Sequence, residues 1–342
     1  MNAIRKTLAQ NVPHGNLFAK EGEKFTLDMI PDLSSKVAVV TGGSEGIGYG
    51  CTHSLLSKNI SKLFILTPSQ EVADGAQDAI REEMGGDVAE KVQWMRCDLS
   101  DWKQTGQVAF DIRKKVDRLD ILINCAARGI MTQQLTPQGV DLHMSLNHIG
   151  HVVLTSHLLP LMKKTAESGN KVRIVNLGSN IHEQVPEDFK FGSIEEINKD
   201  YGPMKQYGIS KLAAILYAKY LSRHLTSKYP NILANASHPG IVETRQSSEH
   251  IFEPYPLGGY AMKYGMAPFK KDQFEGALST LYLATVTENS GEYVCPPAIV
   301  EEGSKLANNE QLGEQLMTLT KLIVREKAKA ESVDKGCPLE AF

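Results

Sequence analysis

From Val37 onward the chain alternates short apolar runs with longer amphipathic segments. The runs are Val37-Ala-Val-Val40, Leu63-Phe-Ile-Leu66, Val92-Gln-Trp-Met95, Ile121-Leu-Ile123, Val172-Arg-Ile-Val-Asn176 and Ile232-Leu-Ala-Asn-Ala236. They are mostly apolar at successive positions, as strands buried on both faces are. Each precedes or follows a segment of helical length. That rhythm predicts an α/β fold with a parallel sheet sandwiched between helices.

No change of composition divides the central span, so residues 35–302 read as one catalytic domain. Residues 1–34 read as an irregular lead-in, with Pro13 and Pro31 discouraging helix. Over 303–332, Leu306, Leu312, Leu316, Leu319 and Ile323 recur at helical spacing. They predict a terminal amphipathic helix, packed on the domain or on a second subunit, within a C-terminal extension over 303–342.

The 342 residues carry a net charge of −3, which leaves no basic field for nucleic acid or anionic lipid. The N-terminal stretch lacks the apolar core of a secretory signal. The most apolar segment, Val152 to Met162, is too short to span a bilayer. Cys51, Cys97, Cys125, Cys295 and Cys337 are odd in number and show no CxxC spacing. They read as reduced thiols of a soluble, cytoplasmic protein. His143, His148, His151 and His157 fall close together, but no third ligand or carboxylate completes a metal site. They read as core or capping histidines.

The first apolar run ends at Thr41-Gly-Gly-Ser-Glu-Gly-Ile-Gly48. Gly42, Gly46 and Gly48 lie between a strand and a helix. There, residues without Cβ let the backbone approach a pyrophosphate, and the helix N-terminus offers N–H groups and a positive dipole end. An NAD site normally has Asp or Glu about 20 residues beyond the glycines, on the ribose 2′-hydroxyl. Here that count reaches Pro68 within Leu66-Thr-Pro-Ser-Gln70, without a carboxylate. Neither is there an arginine, and Glu45 is acidic, but Thr67 and Ser69 offer hydrogen bonds to a phosphate. The balance tilts to NADP, with NAD left open.

Reducing a carbonyl needs a proton for the developing alkoxide, and a tyrosine supplies it best when its pKa, near 10 in water, is lowered. A lysine one helical turn away is expected to lower it. Two such pairs occur, Tyr201/Lys205 and Tyr207/Lys211. Gly202-Pro203 interrupts the first unless a helix begins there, whereas Tyr207 opens a long uninterrupted helical pattern. Tyr207 and Lys211 are therefore the chosen pair.

These motifs together resemble the short-chain dehydrogenases/reductases. The resemblance implies a Rossmann-type doubly wound sheet, with Ser44 and Ile47 lining the cofactor beside Gly42, Gly46 and Gly48. It carries Asp98 over as the adenine contact and Asn124 of Asn124-Cys-Ala-Ala127 as a cofactor contact. The latter motif departs from the family's Asn-Asn-Ala-Gly at Cys125 and Ala127. Ser210-Lys211 matches Tyr-x-x-Ser-Lys, so Tyr207 and Lys211 serve both catalysis and cofactor binding. Asn147 of Asn-x-x-Gly would position a relay water beside the lysine, and Ser179 at a strand end would bond the substrate oxygen. His238-Pro-Gly-Ile-Val-Glu-Thr244 matches the segment whose Ile241 and Val242 backbone and Thr244 hydroxyl hold the nicotinamide.

The resemblance spans roughly Ser35 to Ala298 and is nearest to the retinol-dehydrogenase and WW-domain-oxidoreductase-like branch, with its many fungal members. It implies an NADP-linked ketoreductase for a lipophilic small molecule, of the kind met in secondary metabolism. Homo-oligomers are common in the family, although the terminal helix could cover the usual contact surface. Met262, Tyr264, Met266 and Phe269, with Gly258, Gly259 and Gly265 as hinges, suit an apolar substrate lid. The rival readings are a dinucleotide-binding sensor without turnover and an epimerase or dehydratase using transient oxidation.

Overall fold

The computed structural model describes residues 2–226, 228–242, 253–254 and 271–327. The apolar runs form β1 (Val37–Thr41), β2 (Lys62–Thr67), β3 (Val92–Arg96), β4 (Ile121–Asn124), β5 (Val172–Leu177) and β6 (Ile232–Ser237). Two further strands, β7 (Tyr293–Cys295) and β8 (Ile299–Glu301), complete an eight-stranded sheet of order β3-β2-β1-β4-β5-β6-β7-β8. Neighbours from β3 through β7 pair in parallel, and β8 closes the edge antiparallel to β7. Both late strands are three residues long, too short for a periodic signal.

The longer helices among the described residues are α1 (Asn2–Asn11), α2 (Gly46–Ser57), α3 (Gln70–Met84), α4 (Trp102–Lys115), α5 (His151–Glu167), α6 (Pro203–Thr226), α7 (Gln273–Thr285) and α8 (Glu310–Lys327). Alternation within the strands explains their two layers. Val37 and Val39 of β1, with Phe64 and Leu66 of β2, face a core shared with α4, α5, α6 and α8. Ala38 and Val40, with Leu63 and Ile65, face the opposite core, shared with α2, α3 and α7. Each central strand is thus apolar on both sides, and no side is left for water.

Two terminal expectations change. The lead-in contains a ten-residue helix, α1, which ends at Asn11, two residues before Pro13. The proline limits this helix instead of preventing it. Arg5 Nη2 donates to Ala19 O at 3.0 Å, and Lys6 pairs with Glu301 at 2.7 Å, tying α1 to β8. At the other end, the long helix starts at Glu310, after a 3-10 turn at Leu306–Asn308. Leu312, Leu316, Leu319 and Ile323 join the core cluster that α6 also enters, so this helix covers its own domain.

The chain winds from β1 outward to β3, then crosses back to β4 and winds the other way. At such a switch point the loops after adjacent strands diverge and open a crevice beyond their C-terminal ends, here beyond β1 and β4.

Burial leaves a titration signature. It pushes His148 and His238 down to about 3, and His151 and His157 to about 4, from an ordinary 6.5. The unfolded chain therefore binds more protons than the folded one below pH 6.5. Stability should be undiminished above pH 6.5 and fall as pH drops towards 4, each histidine contributing up to about 1.4 kcal/mol per pH unit. Urea unfolding at a series of pH values checks this; a flat midpoint between pH 6.5 and 4.5 would contradict it.

Candidate functional site

The glycine-rich turn leaves β1 where the crevice opens. Gly42 has φ +65°, and its N–H donates to Leu66 O at 2.8 Å. A Cβ on Gly48 would stand 2.1 Å from Gly42 O, so the helix start folds directly onto the turn. Gly46, at φ +52°, begins α2, and the preceding Glu45 makes no side-chain cap. No capping side chain therefore competes for the first-turn N–H groups. The Ser44 hydroxyl is buried here with no hydrogen-bond partner. Open N–H groups, an orphaned hydroxyl and a backbone with no room for Cβ fit the pyrophosphate of a dinucleotide.

On the other side of the crevice, α6 begins at Pro203, so Tyr201 lies before the helix and shares no face with Lys205. Tyr201 instead packs edge-on against Phe189, with ring centroids 5.7 Å apart. Tyr207 and Lys211 sit one turn apart within α6, the Lys211 Nζ 5.4 Å from the Tyr207 ring centre. Lys211 Nζ donates to Leu177 O at 2.9 Å, at the end of β5. Ser179 follows two residues later, its Oγ accepting from Ile181 N at 3.3 Å. A Cβ on Gly208 would come within 2.7 Å of Ile181 O, so α6 lies against this serine turn immediately beside Tyr207.

Asn147 occupies a π-turn, Ser145–Gly150, that leads into α5. Its Oδ1 accepts from Arg128 N at 2.7 Å, while its Nδ2 donates to Arg128 O at 3.0 Å and to Ser210 Oγ at 2.9 Å. Ser210 Oγ in turn donates to Tyr207 O at 2.7 Å. The predicted asparagine is thereby braced to α6.

The expected acidification of Tyr207 is not borne out in the protein alone. Burial holds the phenol above its ordinary value, and the neighbouring Cys125 thiol adds to this. Burial also pushes the Lys211 ammonium down to about 8. Desolvation penalises both charged forms.

Residues 36–190 match the short chain dehydrogenase family. The chain is 52% identical over 347 residues to "Putative oxidoreductase bli-4, mitochondrial" of Neurospora crassa, covering 99% of this chain and 84% of that one. The chain belongs to the short-chain dehydrogenase/reductase family. It is also 30% identical to human "Polyprenol dehydrogenase", with 78% of each chain covered. A 3-oxoacyl (acyl-carrier-protein) reductase from Agrobacterium tumefaciens, solved with NADP bound, shares 21% identity at a TM-score of 0.60. That match covers 78% of this chain and 95% of the other, and at such identity it speaks for the fold alone.

Several other site residues of this dehydrogenase take roles that the motifs did not disclose. Asp98 is exposed and its Oδ1 accepts from Ser100 N and Oγ at 2.9 and 2.7 Å, forming a turn ahead of α4. Asn124 is buried, its Nδ2 donating to Asn176 Oδ1 at 2.9 Å and Thr155 Oγ1 at 3.2 Å. Its Nδ2 thus joins β4 to β5 and α5, while its Oδ1 is buried with no hydrogen-bond partner. Ile47 packs partly buried on the α2 side. Lys271 N donates to Ile241 O at 2.8 Å, holding the segment that includes the buried Val242. Thr244 and the lid residues Gly258, Gly259, Met262, Tyr264, Gly265, Met266 and Phe269 lie outside the described residues, as does Cys337.

The clustered histidines have protein partners: His143 Nε2 meets Gly129 O at 2.9 Å, and His148 Nε2 meets Thr320 Oγ1 at 2.9 Å. Among the described residues no group of three His, Cys, Asp or Glu side chains could hold a metal. The four cysteines described are unpaired. A cavity of about 630 Å³ adjoins the serine turn. Asn180, Glu183, His238 and Tyr293 line it, together with Lys6 and Gln10 of α1. This wall is polar, and residue order alone gave no hint that α1 would form part of it.

No motif singles out Arg96. It ends β3 opposite Thr67 in the parallel register and is exposed, so the sheet brings a cation beside the end of β2.

The turn yields a direct prediction. Gly48→Ala would force its methyl against Gly42 O, and dinucleotide binding should weaken by at least roughly tenfold. Fluorescence titration with NADPH and NADH, below the variant's own unfolding transition, measures this; unchanged affinity would place the cofactor elsewhere.

Proposed function

We propose that this dehydrogenase/reductase interconverts a carbonyl and its secondary alcohol on a small molecule, using NADP(H) as the hydride carrier. The observation that carries this reading is the pairing of Tyr207 with the buried Lys211 on α6, across the crevice from a turn fitted to pyrophosphate. Gly42, Ser44, Gly46 and Gly48 would hold the dinucleotide, which when bound supplies or accepts the hydride at the carbonyl carbon.

In the reducing direction the Tyr207 phenol gives its proton to the carbonyl oxygen as alkoxide character develops there. The raised pKa keeps that proton in place at neutral pH, which favours Tyr207 as donor. The Lys211 ammonium stabilises the phenolate left behind. The Ser179 hydroxyl donates to the same substrate oxygen. Asn147, braced on Ser210, keeps the backbone near Lys211 in register for reprotonation.

Preference for NADP over NAD is supported by the missing carboxylate after β2 and by Arg96 opposite Thr67. A lipophilic substrate is supported by the likeness to the retinol-dehydrogenase branch and by the name of the human relative. The polar cavity beside Ser179 adds that such a substrate carries a hydrogen-bonding end. Unpaired cysteines favour a reducing compartment. The Neurospora relative has "mitochondrial" in its name, and a reducing matrix would satisfy both.

Purified protein mixed with NADPH and a panel of alicyclic and aryl ketones, followed at the absorbance of the reduced cofactor, tests the reading. Tyr207→Phe should lose about 100-fold or more of turnover while keeping cofactor affinity. Binding without turnover on every ketone and every corresponding alcohol would favour a sensor instead. Separately, Arg96→Ala should raise KM for NADPH severalfold and leave KM for NADH nearly unchanged; equal effects on both would remove Arg96 as reader of the 2′-phosphate.

A further inference from the structure

One buried histidine joins the phosphate turn to the catalytic side of the crevice, and the proposed reaction does not use it. His151, only 3% exposed, has Nδ1 3.0 Å from Asn147 O and Nε2 2.9 Å from Thr41 Oγ1. Counting donors and acceptors fixes its state. A carbonyl oxygen can only accept, so Nδ1 carries a proton. Thr41 Oγ1 already accepts from Cys125 N at 2.8 Å and Ala126 N at 3.0 Å, which occupies both lone pairs. With no lone pair left to accept from Nε2, the threonine meets it as donor at 2.9 Å, its other acceptor, Ile123 O, lying farther off at 3.5 Å, and Nε2 is bare. The ring is therefore a neutral, Nδ1-protonated imidazole. Burial and the nearby Lys211 ammonium point the same way, pushing its pKa down to about 4.

Each end of this bridge is attached to working parts. Thr41 directly precedes Gly42, and its hydroxyl draws the loop after β4 against the turn. There a Cβ on Gly42 would lie 3.0 Å from Ala126 Cα. Asn147 reaches Ser210, and Ser210 reaches the backbone of Tyr207. A hydrogen-bonded path thus runs from the phosphate turn through Thr41, His151, Asn147 and Ser210 to Tyr207.

We infer that His151 is a positioning residue that holds the phosphate turn and the Asn147 carbonyl in one fixed relation, so that grip on the dinucleotide and proton transfer at Tyr207 are coupled. The inference rests on the function proposed above. In this role His151 acts through its bonds to Thr41 and Asn147.

A double-mutant cycle tests it, with His151→Leu, Thr41→Val and the double variant, alongside the conservative His151→Gln and Thr41→Ser. The readouts are the Kd of NADPH by fluorescence, kcat on a ketone that the wild type reduces, and Tm. His151→Leu and Thr41→Val should each weaken NADPH binding and lower kcat, by roughly 10- to 100-fold in the product of the two effects. The double variant should be no worse than the worse single one. Thr41→Ser should stay near wild type, and His151→Gln, which keeps one donor and one acceptor, should recover part of the loss.

Additive losses would overturn the inference. So would a His151→Leu variant with lowered Tm but unaltered Kd and kcat, the behaviour of a histidine that only fills space. If His151→Leu fails to fold, the cycle is run with His151→Gln against Thr41→Val, and additivity is decisive there too. A wild type that neither binds NADPH nor reduces any ketone would sink the functional reading and the coupling together. An active wild type with additive variants would sink the coupling alone.

Discussion

An ammonium group held nearly out of reach of water is the constraint on which the site depends. Lys211 is 4% exposed, and its Nζ donates to the carbonyl of Leu177 at 2.9 Å. Burial lowers its pKa from 10.5 to about 8, equivalent to roughly 3 kcal/mol in favour of the neutral amine. A chain selected only for stability would place hydrocarbon here. Keeping a strained charge at the end of β5 makes sense where charge develops during turnover, because a poorly solvated ammonium responds strongly to a nearby phenolate. The same desolvation raises the pKa of Tyr207, so the two groups are poised against each other. In the proposed reaction, proton transfer from the phenol would give the ammonium the counter-charge it lacks, which offsets part of the cost of burying the phenolate.

Much of the frame was legible because it rests on local rules. Strands such as Val37–Thr41 and Ile121–Asn124 are buried on both faces and announced themselves as unbroken apolar runs. The choice of Tyr207 over Tyr201 followed from one proline, and α6 does begin at Pro203. Other features depend on distances that sequence does not encode. Arg96 and Thr67 are 29 positions apart and meet only through strand register. α1 forms a wall of the polar cavity through Lys6 and Gln10, reaching residues almost a whole chain length away. The pKa of Tyr207 was misjudged for a related reason. Helical spacing gives the distance to a lysine, but the extent of burial comes from the assembled fold. Asn124 shows a finer limit, because its motif does not disclose that Nδ2 ties β4 to β5 while Oδ1 stays buried without a hydrogen-bond partner.

The histidines show that "core" and "functional" are not competing descriptions. His148, His151 and His157 are all buried and all held neutral by their surroundings, as a plain structural reading expects. His151 differs in what its bonds connect. Thr41, Asn147, Ser210 and His151 are each at most 4% exposed, and hydrogen bonds link them in one series that passes through the Asn147 backbone carbonyl. A buried polar series adds little net stability over hydrocarbon of the same shape, yet it is costly when any member is left unsatisfied. What it supplies is a single geometry, since a slip of any member orphans a buried group. A doubly wound sheet creates a need for that geometry. The glycine-rich turn and Tyr207, the proposed proton donor, stand on opposite sides of a switch point, on segments about 165 residues apart, where packing of interchangeable aliphatic side chains would leave their relation loosely specified.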